Sequence, residues 1–103
     1  MSDRALAALG ALGDPSRRAI LELLTDGDRS VQEVADALPI SRPAVSKHLR
    51  LLKEAGLVEE ERRGTRSIYR LREDGLEPVE EYLRRLWQDA AARYRLLAEN
   101  TKP

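Results

Sequence analysis

The 103-residue chain carries eighteen basic and eighteen acidic side chains, so its formal net charge is zero. It contains no Cys, which excludes disulfides, a thiolate nucleophile and a metal site built from cysteine. No run approaches the ~20 apolar residues of a membrane-spanning helix, and the N-terminus lacks the form of a signal peptide. We therefore expect one cytoplasmic domain over residues 1–103, mostly helical because Leu, Ala, Glu and Arg are abundant.

Two short helices are predicted at the start of the chain. Leu6, Leu9 and Leu12 recur every three residues and predict an apolar helix over residues 4–12. A helix of this length is not stable alone, so it must pack against another element. Asp14 and Pro15 then supply an N-cap and a first helical residue, which predict the start of a second helix.

A helix-turn-helix is predicted next. Ser30 and Glu33 have the spacing of a capping box, which opens a short third helix that ends before Pro39. Ser41 then caps a longer fourth helix over residues 41–55. Two helices joined by so brief a turn form a helix-turn-helix, and the second helix of such a pair enters the DNA major groove.

The fourth helix has one apolar and one cationic face. Val45, Leu49 and Leu52 line the apolar face at helical spacing. Residues 41–72 hold nine Lys and Arg against four acids, so this third of the neutral chain is a positive patch that attracts polyanions. The alternative is an ordinary solvated helix face. The residues of this helix that we expect to contact double-stranded DNA are Arg42, Pro43, Ser46, Lys47 and Arg50.

A β-hairpin is predicted over residues 57–72. Gly56 is expected to end the fourth helix in the left-handed conformation, and two short strand-like runs follow it. Between these runs lies a turn whose Arg63, Thr65 and Arg66 can reach the DNA backbone or minor groove, as the tip of a wing does. Solvated hairpin charges are the alternative for these side chains.

The last helix is predicted over residues 77–100. Its apolar stripe is broader than a unit of three helices and a hairpin can cover, so we expect the first and last helices to form a two-fold dimer surface. The alternative is that both helices pack only on their own chain. The residues expected at the dimer interface are Leu6, Leu9, Leu83, Leu86, Trp87, Ala90, Tyr94 and Leu97.

Three stretches together resemble the ArsR family of winged-helix repressors. They are residues 12–21 (LGDPSRRAIL), residues 34–49 (with VADAL and SRPAVSKHL) and residues 51–58 (LLKEAGLV) followed by the Arg-Gly-Thr-Arg turn. The resemblance implies a mainly α winged helix-turn-helix: four helices, a small β-hairpin and a fifth helix. It further implies homodimerisation through the first and last helices. The positions it assigns to base reading are Arg42, Pro43, Ser46 and Lys47.

The inducer sites of that family have no counterpart here. Metal-sensing members carry Cys-Val-Cys on the third helix, where this chain has Ser30, Val31 and Gln32. Other members bind zinc through His and acidic residues of the last helix, and here that helix has no His. We therefore expect no metal site and no cofactor, and the sequence does not identify a small-molecule or protein inducer.

The sequence favours a dimeric, sequence-specific DNA-binding repressor. The alternative is a winged-helix module that binds a protein partner, which the acidic triplet Glu59, Glu60 and Glu61 supports unless those acids pair with Arg70 or Arg72 across the hairpin. The only His, His48, is expected to bond a neighbouring helix or to contact phosphate. An enzyme is not expected, because the chain has no Cys, no suitably spaced acid beside that His and no Gly-rich phosphate loop.

Overall fold

The computed structural model describes residues 2–100, with side-chain surroundings for residues 2–99, and within this range it contains five helices and one three-stranded antiparallel sheet. Met1 and residues 101–103 of the expected domain lie outside the described residues. The elements in chain order are α1 (Asp3–Leu12), α2 (Pro15–Leu24), β1 (Arg29–Ser30), α3 (Val31–Ala37), α4 (Arg42–Glu54), β2 (Val58–Arg63), β3 (Arg66–Leu71) and α5 (Glu77–Asn100).

The local signals in the sequence place the helix ends correctly. The Asp14 carboxylate accepts the backbone N–H groups of Ser16 and Arg17, at 2.8 and 3.1 Å, and so caps α2. The predicted capping box forms at the start of α3. Gly56 follows the end of α4 with a φ of 78°, a conformation that costs a residue without Cβ little.

The sheet has one more strand than the predicted hairpin. β1 pairs with β3, and the strand order is β1-β3-β2. The predicted element order lacked β1, because a two-residue strand shows no alternation and the capping box already accounts for Ser30. β2 and β3 pair in register from Val58 opposite Leu71 to Arg63 opposite Arg66, so the predicted turn lies at the tip.

The core joins α2, α3 and α4 beneath the sheet. Ile20, Val34, Val45, Leu49 and Leu52 are fully buried, and since three of these lie on one side of α4, the opposite side of that helix must face solvent. The first helix contributes small side chains to the core, and its Leu9 and Leu12 pack against the core while only partly buried. The buried residues of α1 are Ala5, Ala8 and Ala11.

Only the beginning of α5 packs on its own chain. Val79 is buried, but from Leu83 to Glu99 every side chain is exposed except the half-buried Ala92. The chain measures 70 × 24 × 22 Å, with a radius of gyration of 18.7 Å, whereas a compact domain of 100 residues has about 13 Å. The last helix therefore projects from the domain with its apolar stripe uncovered.

Candidate nucleic-acid interface

The outer face of α4 presents the residues predicted to contact DNA. Buried Val45 and Leu49 fix the inner side of the helix, and the Ser41 hydroxyl caps its start by accepting the N–H of Ala44 at 3.3 Å. The side chains that this packing turns to solvent are Arg42, Pro43, Ser46, Lys47 and Arg50. All five lie on one surface, as the helical spacing predicted.

Three cations on this surface have no acidic neighbour. Within residues 2–100, no carboxylate lies within 4 Å of the charged nitrogens of Arg42, Lys47 or Arg50. Lys53, near the end of the helix, differs because its Nζ lies 3.0 Å from a carboxylate oxygen of Glu60. The positive field of α4 is therefore concentrated in its first two and a half turns, where a DNA phosphate or base edge meets no competing carboxylate.

The hairpin of β2 and β3, which we call the wing, is less cationic than its sequence suggests. At its tip, Arg63 forms an ion pair with Glu61 at 2.9 Å, and Arg66 bonds to Glu33 of α3 at 3.0 Å. Thr65 is exposed in the turn between them. Both predicted wing arginines therefore already have acidic partners, and each must share its guanidinium with DNA if it binds a phosphate.

The acidic triplet of β2 is neutralised within the sheet. Arg70 forms ion pairs with both Glu59 and Glu61, which confirms the predicted cross-strand pairing. Hydrogen bonds from Arg63, and then from Arg70, lower the pKa of Glu61. The triplet therefore no longer supports the alternative of a protein-interaction module.

Glu60 lies on the other side of β2 and is also compensated. Hydrogen bonds from the Ser67 hydroxyl and the Lys53 ammonium lower its pKa. Its proximity raises the pKa of Tyr69, although burial is the larger cause of that shift. The carboxylate thus ties β2 to the end of α4 and adds little repulsion toward a polyanion.

The start of α4 and the tip of the β2–β3 hairpin border one cleft. It has a volume of about 160 Å³ and lies between the starts of α3 and α4 and the hairpin tip. The residues that line it are Ser30, Val31, Gln32, Arg42, Thr65, Arg66 and Ser67. Three predicted DNA contacts, Arg42, Thr65 and Arg66, therefore come together, although Arg42 precedes the other two by more than twenty residues.

Arg62 is a candidate that the sequence interpretation overlooked. It is exposed, and no acid pairs with it among the residues described. Because side chains alternate along a strand, it shares the face of β2 from which Glu60 reaches α4. Strand alternation in the sequence is the signal that could have identified Arg62, whereas position beside the turn favoured only Arg63 and Arg66.

His48 does not form the expected hydrogen bond to a neighbouring helix through its buried Nδ1 atom. The residue is half-buried on α4, and its Nδ1 atom is buried with no hydrogen-bond partner in the described part of the chain.

Across residues 2–100, no group of three or more His, Cys, Asp or Glu is arranged to hold a metal ion. The helices of the same residues include none that is long and apolar enough to cross a membrane.

The predicted dimer surface is exposed in the single chain. Trp87 and Tyr94 are 70% and 73% exposed, and only Leu9 of the predicted set is half-buried. Tyr94 lines a shallow groove with four other α5 residues, but Trp87 does not. The exposed members of the predicted set are Leu6, Leu83, Leu86, Trp87, Ala90, Tyr94 and Leu97.

Comparison with known proteins identifies the family of this fold. Residues 12–61, from the end of α1 to β2, match the helix-turn-helix domain family. The chain is 46% identical over 90 residues to the HTH-type transcriptional regulator Rv2034 of Mycobacterium tuberculosis, across 87% of this chain and 84% of that protein. Its structure matches the ArsR-like transcriptional regulator from Rhodococcus sp. RHA1 with a TM-score of 0.87 and 30% identity, over 96% and 93% of the two chains. The chain belongs to the ArsR family of winged helix-turn-helix transcriptional regulators.

Another solved structure similar to this regulator is the homodimeric winged helix-turn-helix DNA-binding domain Mb0332 from Mycobacterium bovis. It has a TM-score of 0.64 and 32% identity, and the match covers 98% of this regulator and 83% of that chain. Membership confirms the predicted fold and the main predicted function, since the similar proteins are helix-turn-helix regulators of transcription.

Proposed function

We propose that this regulator is a homodimeric repressor that binds an inverted-repeat operator through α4 and the wing, without sensing a metal. The observation that carries the proposal is the exposed face of α4, where Arg42, Lys47 and Arg50 stand without ion pairs among the described residues. An α-helix fits the major groove, where Arg and Lys donate hydrogen bonds to guanine.

The positions along α4 suggest different roles for these side chains. Base edges are usually contacted from the first turns of a recognition helix, which favours Arg42, Pro43, Ser46 and Lys47 as base-reading residues. Arg50 lies further along the helix and is better placed for the phosphate backbone. Phosphate contacts set affinity and position, whereas contacts to bases set sequence preference.

Dimerisation is supported by the uncovered stripe of α5. Contiguous exposed apolar surface on a small protein usually marks an interaction site, and the similar Mb0332 domain is homodimeric. A two-fold axis between the α5 helices would repeat the α4 surface once. The two recognition helices would then enter successive major grooves roughly 34 Å apart, which requires an inverted-repeat operator.

Repression is supported by the name of a similar protein, the transcriptional repressor SdpR of Bacillus subtilis, which is 41% identical to this chain over 61 residues. A dimer that binds promoter DNA can repress by occupying it. A reporter behind the operator should become more active when the regulator is deleted and less active when it is restored. Reduced reporter activity on deletion would identify an activator instead.

Metal-independent binding is supported by the composition of the chain, which has no Cys and a single His. Adding zinc to the protein–DNA complex should leave the dissociation constant within about a factor of two, since no ligand set of the usual kind is available. Release of DNA on adding zinc, reversed by a chelator, would contradict this part of the proposal.

The main experiment is selection of bound sequences from a pool of random duplexes at physiological salt. We expect an enriched inverted repeat whose half-site centres lie about 10 base pairs, or a multiple of this, apart. The Arg42→Ala and Lys47→Ala variants should enrich altered or weaker motifs at the corresponding bases. If the wild-type protein enriches no sequence over the starting pool, the proposal is wrong.

A further inference from the structure

A single arginine joins the wing to the helix-turn-helix. The Nη2 atom of Arg66 donates hydrogen bonds to Ser30 Oγ at 3.1 Å and to Glu33 Oε1 at 3.0 Å. Both acceptors belong to the capping box of α3, in which Glu33 Oε1 also accepts the Ser30 N–H at 3.0 Å and Ser30 Oγ accepts the Glu33 N–H at 3.1 Å. We refer to Ser30, Glu33 and Arg66 as the wing clasp.

Burial and strand pairing fix the positions of the residues in the wing clasp. Ser30 is only 3% exposed, and it lies opposite Ile68 in the pairing of β1 with β3, so its hydroxyl has a fixed position. Arg66 is the first residue of β3 and lies opposite Arg63 at the hairpin tip. β1 pairs only with residues 68 and 69, so the clasp extends the attachment of the sheet to the very end of the hairpin.

The clasp also lies next to the recognition helix. Arg42, the first residue of α4, lines the same cleft as Arg66 and Thr65. Whatever holds Arg66 against α3 therefore sets the distance between the wing tip and the start of α4. The wing tip and the start of α4 must contact one DNA duplex at the same time, and the backbone geometry of that duplex is fixed.

We propose that Glu33 is a positioning residue for DNA binding, because through Arg66 it holds the wing tip against α3 in the orientation that the duplex requires. The inference rests on the proposed DNA-binding function. It adds to that function a residue whose negative charge would be repelled by DNA phosphates. The Glu33 carboxylate is kept ionised by its surroundings: hydrogen bonds from the Ser30 N–H and hydroxyl, and then the charge of Arg66, lower its pKa.

Simple electrostatics predicts the opposite effect for this residue. Removing a negative charge beside a polyanion-binding surface should strengthen binding, and so should freeing Arg66 for a direct phosphate contact. Positioning by the clasp predicts weaker binding when the same carboxylate is removed. The sign of the change in affinity therefore separates the two explanations.

The test compares Glu33→Gln with Asp36→Asn, using the duplex enriched by the wild-type protein. Gln serves the capping box as Glu does, so Glu33→Gln should preserve α3 while removing the charge that holds Arg66. Asp36 lies on the same helix, bonds to Gln32 at 2.8 Å and loses the same charge. We expect the dissociation constant to rise about two- to fivefold for Glu33→Gln, the range of a partly exposed ion pair, and not to rise for Asp36→Asn.

Two further readouts separate positioning from general destabilisation. In the free protein, amide hydrogen exchange at residues 62–67 should be faster in Glu33→Gln than in Asp36→Asn, while both retain the wild-type melting temperature within a few degrees. The slope of log affinity against log salt should stay unchanged in Glu33→Gln, because no phosphate contact is lost. Arg66→Met should weaken binding less in the Glu33→Gln background than in the wild type.

The possible failures are distinguishable. A wild-type protein that binds no duplex would refute the proposed function itself. A wild-type protein that binds, together with a Glu33→Gln variant that binds as tightly or more tightly, would refute only the role of Glu33. Additive effects of Arg66→Met and Glu33→Gln, with a salt slope lowered by about one in Arg66→Met, would show that Arg66 contacts phosphate independently of the clasp.

Discussion

Trp87 provides the most direct test of the proposed dimer. It is 70% exposed in the single chain and lies on the same stripe of α5 as Leu83, Ala90 and Tyr94, which are four, three and seven residues away. If two α5 helices pack through this stripe, replacing Trp87 with Ala removes the largest side chain from the interface. We therefore expect Trp87→Ala to weaken dimerisation without unfolding the domain, whose core does not include it.

The size of the effect follows from the exposed area. A Trp side chain offers about 200 Å² for burial, so a 70% exposed fraction corresponds to about 140 Å². At ~25 cal/mol per Å² this amounts to about 3.5 kcal/mol per subunit, and to about 7 kcal/mol in a two-fold symmetric pair. These are upper limits because burial at the interface is incomplete. If about 40% of the ~7 kcal/mol is realised, about 2.8 kcal/mol, the dimer dissociation constant rises about a hundredfold, and we expect an increase of this size.

Sedimentation equilibrium over a range of concentrations measures this constant. Leu96→Ala is the matched control, since Leu96 is 61% exposed but lies nine residues from Trp87, about 180° around the helix. The control should dimerise like the wild type, and Trp87→Ala should also lose cooperative binding to the inverted repeat. Equal dimer constants for Trp87→Ala and the wild type, or equal weakening by Leu96→Ala, would refute the reasoning.

Three further predictions concern the DNA-binding unit. In electrophoretic titrations, Arg50→Ala should weaken binding to all DNA sequences and lower the slope of log affinity against log salt by about one. The control Arg84→Ala, which removes an exposed charge from α5, should change neither quantity. Equal effects of the two substitutions would contradict a phosphate contact at Arg50. Leu49 is fully buried, so Leu49→Ala should cost about 2–5 kcal/mol in urea unfolding, and a cost near zero would contradict the described core. Because the Ser67 hydroxyl lowers the pKa of Glu60 below its ordinary 4.5 in the folded state, ionised Glu60 stabilises the fold above pH 4.5, and this contribution disappears as the pH falls toward the folded pKa. Glu60→Gln should therefore lose less stability than the wild type between pH 7 and pH 3, and identical losses would contradict the assignment.

Signals that act over a few residues predicted much of this fold. The cap at Asp14, the capping box of Ser30 and Glu33 and the stop at Gly56 each depend on bonds or backbone conformations within three or four residues. Amphipathic spacing also predicted which side of α4 faces outward, because the helix period fixes the relative direction of its side chains. The direction in which the cationic face of α4 points therefore followed from the sequence once the helix ends were known.

The two-residue strand β1 shows where such signals end. Arg29 and Ser30 have no alternation to mark a strand, and they pair with residues about 40 positions later. The exposed part of α5, from Leu83 onward, was equally beyond such signals. An apolar stripe in the sequence indicates that a surface will be covered, but it does not indicate by which chain. In the structure the stripe lies beyond its own domain from Leu83 onward, and this supports the proposed dimer.

The sequence by itself determined the helix-turn-helix, its cationic face and the wing, since all three depend on neighbours along the chain. Only the tertiary structure decided which positive charges remain unpaired. Arg66 bonds to an acid 33 residues away and Arg70 to one 42 residues away, while Arg42, Lys47 and Arg50 meet none in the described chain. An ion pair requires two groups within about 4 Å, and the folding of the chain sets that distance for residues so far apart in sequence.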